Sequence, residues 1–278
     1  MFKMGRLRHL SNSRTGVRGT VSKGNIIYDA IDLEANLELY EVGTTKKYPL
    51  GTRLVTADGR VFHYAKAEGA LVANRGAFNH QAYSGITGGI VSAFASGVTE
   101  VNILLDSTTS GSTWFGVANN MAGGSIVLAT GTPTICRQIV KHPAGINAET
   151  ITITLDGPTT RAITAAEMAE VMRNPYQALV QSTHSTHLSC MGVTQNAFTA
   201  GDYGWIQTWG VSWITPDLGT LGIDEYDREL IFLGTGTVVQ TTDSDPTTYA
   251  NQHAGFLMNF TSVSEWSIPP FVMIQISP

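Results

Sequence analysis

The chain has 278 residues, with 17 Lys and Arg against 22 Asp and Glu, and a formal net charge of −5. Hydrophobic residues make up 42% and charged residues only 14%, which excludes wholesale disorder and leaves Thr, Ser, Asn, Gln and backbone to solvate the surface. No window approaches the ~18 consecutive apolar residues of a membrane-spanning helix, the opening MFKMGRLRHLSNSR lacks the apolar run of a secretory signal, and two cysteines are too few for a disulfide framework.

The expectation from these features is synthesis in a reducing cytoplasm, no membrane, and Cys136 and Cys190 as small buried hydrophobes. The 34 Thr and 29 Gly favour strands and turns over long helices.

Charge is segregated. Residues 1–28 carry Lys3, Arg6, Arg8, Arg14, Arg18 and Lys23 and no acid, so the remainder holds 11 basic and 22 acidic residues. Such an arm binds nucleic acid or acidic protein surfaces. No aromatic platform for base stacking is interleaved with these cations, so docking onto a partner protein is the better reading, with the six basic residues as partner-binding candidates. From Ile31 to Leu39 apolar and polar residues alternate with period two, which predicts a strand with one acidic face.

Thr52–Thr56 and Arg60–Tyr64 flank Ala57-Asp58-Gly59, and Asp-Gly is the signature of a tight hairpin. Residues 73–96 are Gly- and Ser-rich and read as a loop or crossing segment. Val98–Leu105, Ser125–Ala129 and Thr150–Leu155 are strand candidates separated by strong turns, the spacing of a small barrel or sandwich. Thr164 and Glu167 form a capping box, with Ile163 and Met168 at staple spacing, and predict a short helix over 164–173 closed by Asn174-Pro175. Strand character resumes at Tyr176–Gln181, Gly204–Ile214, Leu230–Leu233, Thr237–Thr241, Gly255–Phe260 and Phe271–Ile276. The expected architecture is mainly β: a basic extended arm with a first strand (1–40), a β domain (41–180) and a C-terminal β domain (181–278), each β domain a small barrel or sandwich.

Chemistry is hard to place on this chain. His184-x-x-His187-x-x-Cys190, with Cys136 or His142 as a fourth ligand, has zinc-like composition, but residues three apart on a strand face opposite sides and the surrounding Ser and Thr read as a surface loop. Asp224, Glu225, Asp227 and Glu229, like Asp243 and Asp245, read as solvated loop acids, because Gly222 comes too early for a calcium loop. Nucleophile elbows, Walker loops, dinucleotide fingerprints and H-E-x-x-H are absent. No enzyme activity, metal or cofactor is expected. Trp205, Trp209 and Trp213 recur every four residues, which puts three indoles on one face of a strand unless a bulge, marked by Gly210, intervenes. Such a row is either core or an exposed carbohydrate- or partner-binding surface.

Four segments carry a resemblance. YPLGTRLVTADGRVFHYAKAEGAL (48–71), RNPYQALV (173–180), GDYGWIQTWG (201–210) and the closing GFLMNF…PPFVMIQIS resemble, in that order, head-associated decoration or cement proteins of tailed bacteriophages. The likeness runs over residues 44–278, leaves the arm outside, and is most specific in its first block. Val211-Ser212-Trp213-Ile214 and the acidic 224–229 stretch depart from the simpler hairpin expected there. The resemblance implies a virion protein on the capsid surface that binds the major capsid protein as a homo-oligomer, with a trimer among the options, and it brings no catalytic residues. The rival readings are a vertex or fibre-like capsid protein binding host glycans through the tryptophans, and the major capsid protein itself.

Overall fold

Strands occupy 48% of the chain and helix 2%, so the molecule is mainly β, with curled antiparallel sheets as the turn-rich sequence requires. The computed structural model describes residues 8–11, 18–22, 25–28, 39–79, 86–90, 92–105, 114–128, 133–146, 148–165, 167–181, 189–217, 228–240, 252–258 and 271–277. Among them no helix is long and apolar enough to cross a membrane.

Two units form, and they are nested rather than consecutive: Met1–Ala82 joins Tyr176–Pro278, and Tyr83–Pro175 is inserted between them. The segment expected as one domain, 41–180, is therefore shared between both. The chain first lays down β1 (Arg8–Ser11), β2 (Arg18–Ser22), β3 (Asn25–Tyr28), β4 (Arg53–Val55), β5 (Val61–Lys66) and β6 (Gly76–Asn79). It then builds the inserted unit from β7 (Ile86–Ile90), β8 (Glu100–Leu104), β9 (Ser125–Leu128), β10 (Ile135–Lys141), β11 (Thr150–Leu155) and β12 (Met168–Met172). It returns with β13 (Leu179–Val180), β14 (Cys190–Thr194), β15 (Tyr203–Trp213), β16 (Glu229–Phe232), β17 (Val238–Gln240), β18 (His253–Leu257) and β19 (Phe271–Gln275).

The inserted unit is a closed six-stranded barrel, β10-β11-β8-β7-β12-β9. Most of its strands alternate buried apolar residues with more exposed ones. Val101 and Ile103, Ile126 and Leu128, Ile151 and Ile153, and Ala169 and Val171 fill the interior, as side chains must in a barrel this narrow. Each fully buried aliphatic side chain contributes roughly 1.5–3 kcal/mol.

The helix predicted over 164–173 is instead the strand β12. Half of the capping box survives as a turn: Thr164 N–H donates to Glu167 Oε1 at 2.9 Å, and Glu167 N–H donates to Thr164 O at 3.2 Å. Arg161 grips the same carboxylate with two bonds of 2.7 and 2.6 Å. Beyond it Ala169 and Val171 are buried while Met168 and Met172 face outward, and the strand pairs on both edges, with β7 and β9. Two ladders and a period-two apolar face outweigh the helical preference of Ala, Glu and Met.

The larger unit is a 13-stranded sheet ordered β1-β2-β3-β4-β5-β15-β19-β18-β16-β17, with β14, β6 and β13 branching from β15. Every named pair in it is antiparallel except β3–β4. The β4–β5 hairpin turns as expected: Thr56 N–H donates to Arg60 O at 2.9 Å, Gly59 N–H donates to Thr56 O at 3.0 Å, and Gly59 adopts φ +84°, the left-handed residue of a three-residue hairpin loop. β5 is buried on both faces, one side lying against Leu39, Leu54 and Trp205 and the other against Leu71, Leu179 and Ile206.

Further expectations are corrected. Residues 73–96 contain two strands, β6 and β7, because Gly76 permits close packing against Cys190 and Phe232 and β6 pairs with β13 and β14. Cys136 is exposed, and both cysteines are free. On β10 it falls at an outward position of the barrel, between the inward Ile135 and Ile139. Of the predicted strand Ile31–Leu39 only Leu39 lies within the described residues, where it is buried and outside any strand.

Candidate docking surfaces

The long strand β15 places the tryptophans. Trp205 pairs with Tyr64 and Gln207 with Phe62, but Trp209 pairs with Val61, so two residues of β15 oppose one of β5 across Thr208. This bulge reverses the side-chain alternation. Trp205 points into the core and packs on Tyr48 and Tyr64 at ring distances of 5.3 and 5.2 Å. Trp209 and Trp213 emerge on the other face, half-buried. The three indoles therefore form no continuous row, and the bulge precedes Gly210 rather than centring on it.

The bulge is held by buried polar groups. The Thr208 hydroxyl donates to Ser277 O at 2.7 Å, so it accepts from His63 Nδ1 at 3.1 Å, and that nitrogen carries the proton. The His63 ring stacks on Tyr176 at 4.8 Å. Burial, with Arg53 adding to it, pushes the imidazole down to about 4, so it stays neutral and acts as a fixed donor. Nearby, Gln207 Nε2 donates to Trp209 O at 3.1 Å and Val211 O at 3.0 Å, and Gln195 Nε2 donates to Gln207 Oε1 at 3.1 Å and Ser212 Oγ at 3.0 Å.

Beyond the bulge the described residues of this sheet face are apolar and partly exposed. Val211 pairs with Met273, which pairs with Phe256; Trp213 pairs with Phe271; and Met258 N–H donates to Phe271 O. Directly opposed residues share one face. Phe271 is 52% exposed, Met258 44%, Val211 41% and Phe256 40%. With half-buried Trp209, Trp213 and Met273 they make an apolar patch on the order of 400 Å², comparable to the largest patch on an ordinary monomer, ~300–600 Å². At its margin the described ladder places Glu229, which pairs with Phe256, and His253, whose Nε2 is 3.6 Å from that carboxylate. Phe256, Met258, Phe271 and Met273 escape sequence reading because GFLM and FVMI are apolar at every position and look buried on both sides.

A second surface is the arm. β1, β2 and β3 extend the sheet edge by antiparallel pairing, and β3 joins β4 through three parallel rungs, Asn25–Arg53, Ile26–Leu54 and Ile27–Val55. Arg8 and Arg18 sit at opposite ends of the β1–β2 ladder, paired with Val21 and Ser11. Lys3, Arg6, Arg14 and Lys23 lie outside the described residues. β1 ends the strand order, and among the described residues no strand pairs with its outer edge, the kind of edge to which a further strand can add.

Most of the other sequence candidates cannot be placed among the described residues. His184 and His187, and Asp224, Glu225, Asp227, Asp243 and Asp245, lie outside the described residues. Cys190 is buried, its thiol donates to Gly192 O at 3.5 Å, and burial pushes it up to about 12, which disfavours the thiolate a metal needs. His142 accepts the Met121 N–H at Nε2 across 2.9 Å. Among the described residues no three His, Cys, Asp or Glu side chains cluster.

Trp205→Ala should lower stability by about 3–5 kcal/mol, the cost of emptying a buried aromatic site, and Trp209→Ala by clearly less. Urea unfolding followed by circular dichroism measures both. A larger loss at Trp209 would reverse the assignment of faces. Among known proteins, no family model, curated sequence or solved structure matches the chain.

Proposed function

We propose that the chain is a structural protein of a tailed-phage virion, located on the capsid surface, which decorates and cements the shell by binding the major capsid protein. The observation that carries this reading is the arm. A segment with six basic residues and no acid includes three strands at the edge of the main sheet. Extended segments that pair by strand addition gain main-chain hydrogen bonds over a long footprint, which is what holding neighbouring capsomers together demands.

Two further features support it. The segments that resemble decoration proteins are far apart in sequence, yet they fall on β4, β5, β15, β18 and β19, which are neighbours in the sheet order. RNPYQALV docks on the same strands, with Lys66 N–H donating to Tyr176 O at 2.8 Å. A clamp binds the closed shell and not its dissociated subunits, and so stabilises the shell by mass action.

Purified virions should contain the chain by immunoblot, and shells stripped of it should rebind the full-length protein. Removal of residues 1–28 should reduce rebinding at least tenfold while the remaining chain keeps its thermal transition. Virions that lack the chain, or a truncated protein that rebinds as well as the intact one, would refute the reading.

A further inference from the structure

We infer that His142 is a proton-operated latch on the inserted barrel: a proton taken up at its Nε2 frees the turn 119–122 and uncovers the barrel interior at Phe115 and Met121. The inference goes beyond the function proposed above and stands without it.

The latch is a buried ring with both nitrogens committed. His142 directly follows β10 and is only 3% exposed. Its Nδ1–H donates to Pro143 O at 2.6 Å, which leaves the lone pair of the neutral ring at Nε2, where it accepts the Met121 N–H at 2.9 Å. The tautomer is thereby fixed, and neither nitrogen is left for a metal. The atom that would take a proton is the one a backbone donor already faces. An imidazolium donates at both nitrogens and accepts at neither. Protonation therefore turns the Met121 bond into two N–H groups pointing at each other, and no change of tautomer relieves it.

The turn hangs on this residue. Asn119 N–H donates to His142 O at 3.1 Å, and His142 N–H donates to Asn119 Oδ1 at 3.0 Å. The ring meets Phe115 edge-on at 4.8 Å. Phe115 and Met121 are fully buried in the barrel core, so the turn is a stopper whose apolar side chains complete that core. A pivot adjoins it. Gly123, at φ +83°, donates its N–H to Ile139 O at 2.8 Å, and Ile139 N–H donates to Gly124 O at 2.8 Å. These bonds do not involve the imidazole, so the turn can swing while β9 and β10 stay paired.

Among the described residues, the titratable groups on the elements packed about the ring are Lys141, exposed beside it, Glu149, which accepts the Ile146 N–H at 2.9 Å, and Arg173, which lies over the Trp114 ring at 4.4 Å. None of them shifts the imidazole, which burial lowers from 6.5 against an opposing pull from the Pro143 carbonyl. A ring released into water regains the ordinary value. Below pH 6.5 opening thus takes up a proton, and its equilibrium constant rises by up to about tenfold per pH unit.

Hydrogen exchange of the full-length protein, resolved to single amides by NMR, tests this and keeps the barrel apart from any effect at His63. Between about pH 7 and 5 the Met121 amide should lose at least about tenfold in protection, after correction for intrinsic exchange, while the amides of β11 keep theirs. His142→Gln, which offers a carbonyl oxygen in place of Nε2 and does not titrate, should hold Met121 protection level over the same range. If that variant fails to fold, the ring titration of the unaltered protein decides: the midpoint of imidazole protonation and the loss of Met121 protection should coincide. Protection that stays level to about pH 4.5, a ring that protonates with Met121 still protected, an equal loss in the Gln variant, or β11 amides that exchange in step with Met121 would each overturn the inference.

Discussion

Gly255→Ala should unfold the larger unit or cost at least about 4 kcal/mol, among the largest effects a single methyl can have. Gly255 holds φ +137°, and a Cβ there would lie 1.8 Å from the Met273 carbonyl oxygen, 2.9 Å from its carbonyl carbon and 3.2 Å from Ile274 Cα. All three are backbone atoms of the neighbouring strand β19, which is pinned by the rungs Gly255–Ile274 and Gly210–Ile274 on its two edges, so no side-chain rotation relieves the clash. Gly59 is the matched control. It has φ +84° but nothing within 4 Å of a built Cβ, so Gly59→Ala should cost only the left-handed conformation, ~1–2 kcal/mol. Guanidinium unfolding of both variants measures the contrast, and equal losses would mean that β18 and β19 do not approach so closely.

The second large effect is a loss of stability in mild acid. His63 titrates near 4 in the folded chain against 6.5 for a free imidazole, because burial, and then the Arg53 charge on the paired strand β4, disfavours the imidazolium. Tyr176, stacked on the ring, is itself pushed up to about 12 by burial and stays neutral, and Thr208 offers only a hydroxyl. Between pH 6.5 and 4 the unfolded chain therefore binds a proton that the folded chain refuses. Stability is whole above 6.5 and falls with pH through that window by up to about 3 kcal/mol. His63→Phe, which keeps the stacked ring and removes the titration, should flatten the profile by one proton. Urea midpoints at a series of pH values test this, and parallel profiles for the two proteins would show that the ring protonates without unfolding. Glu167, held below the usual carboxylate range by Arg161, adds a loss at lower pH that both proteins share.

What the sequence disclosed is what local chemistry encodes. Asp58-Gly59 dictates a hairpin loop whatever surrounds it, and the alternation in Thr150–Leu155 states which side chains fill the barrel. The order of pairing is not local. Tyr203 opposes Lys66 and Trp209 opposes Gln275, and no short-range pattern announces partners so distant. Thr164 and Glu167 show the limit from the other side: the box forms, but the two ladders beyond it draw the following residues into β12. A bulge in β15 was foreseen at Gly210, but its place at Thr208 was hidden, because only the register with β5 shows which residue is extra. The arm's charge was plain, whereas its pairing with β4 needed the sheet to exist first.

The nesting of the two units has a consequence for how such a molecule changes over generations. β6 and β13, the strands on either side of the inserted barrel, pair with each other through Asn79–Leu179 and Phe78–Val180. The chain thus leaves and re-enters the main sheet at adjoining points, like a hairpin whose turn has been expanded into residues 83–175. A few turn residues would bridge that gap, so the barrel is a cassette. Mutation can enlarge, exchange or delete it while every strand of the host sheet keeps its partner.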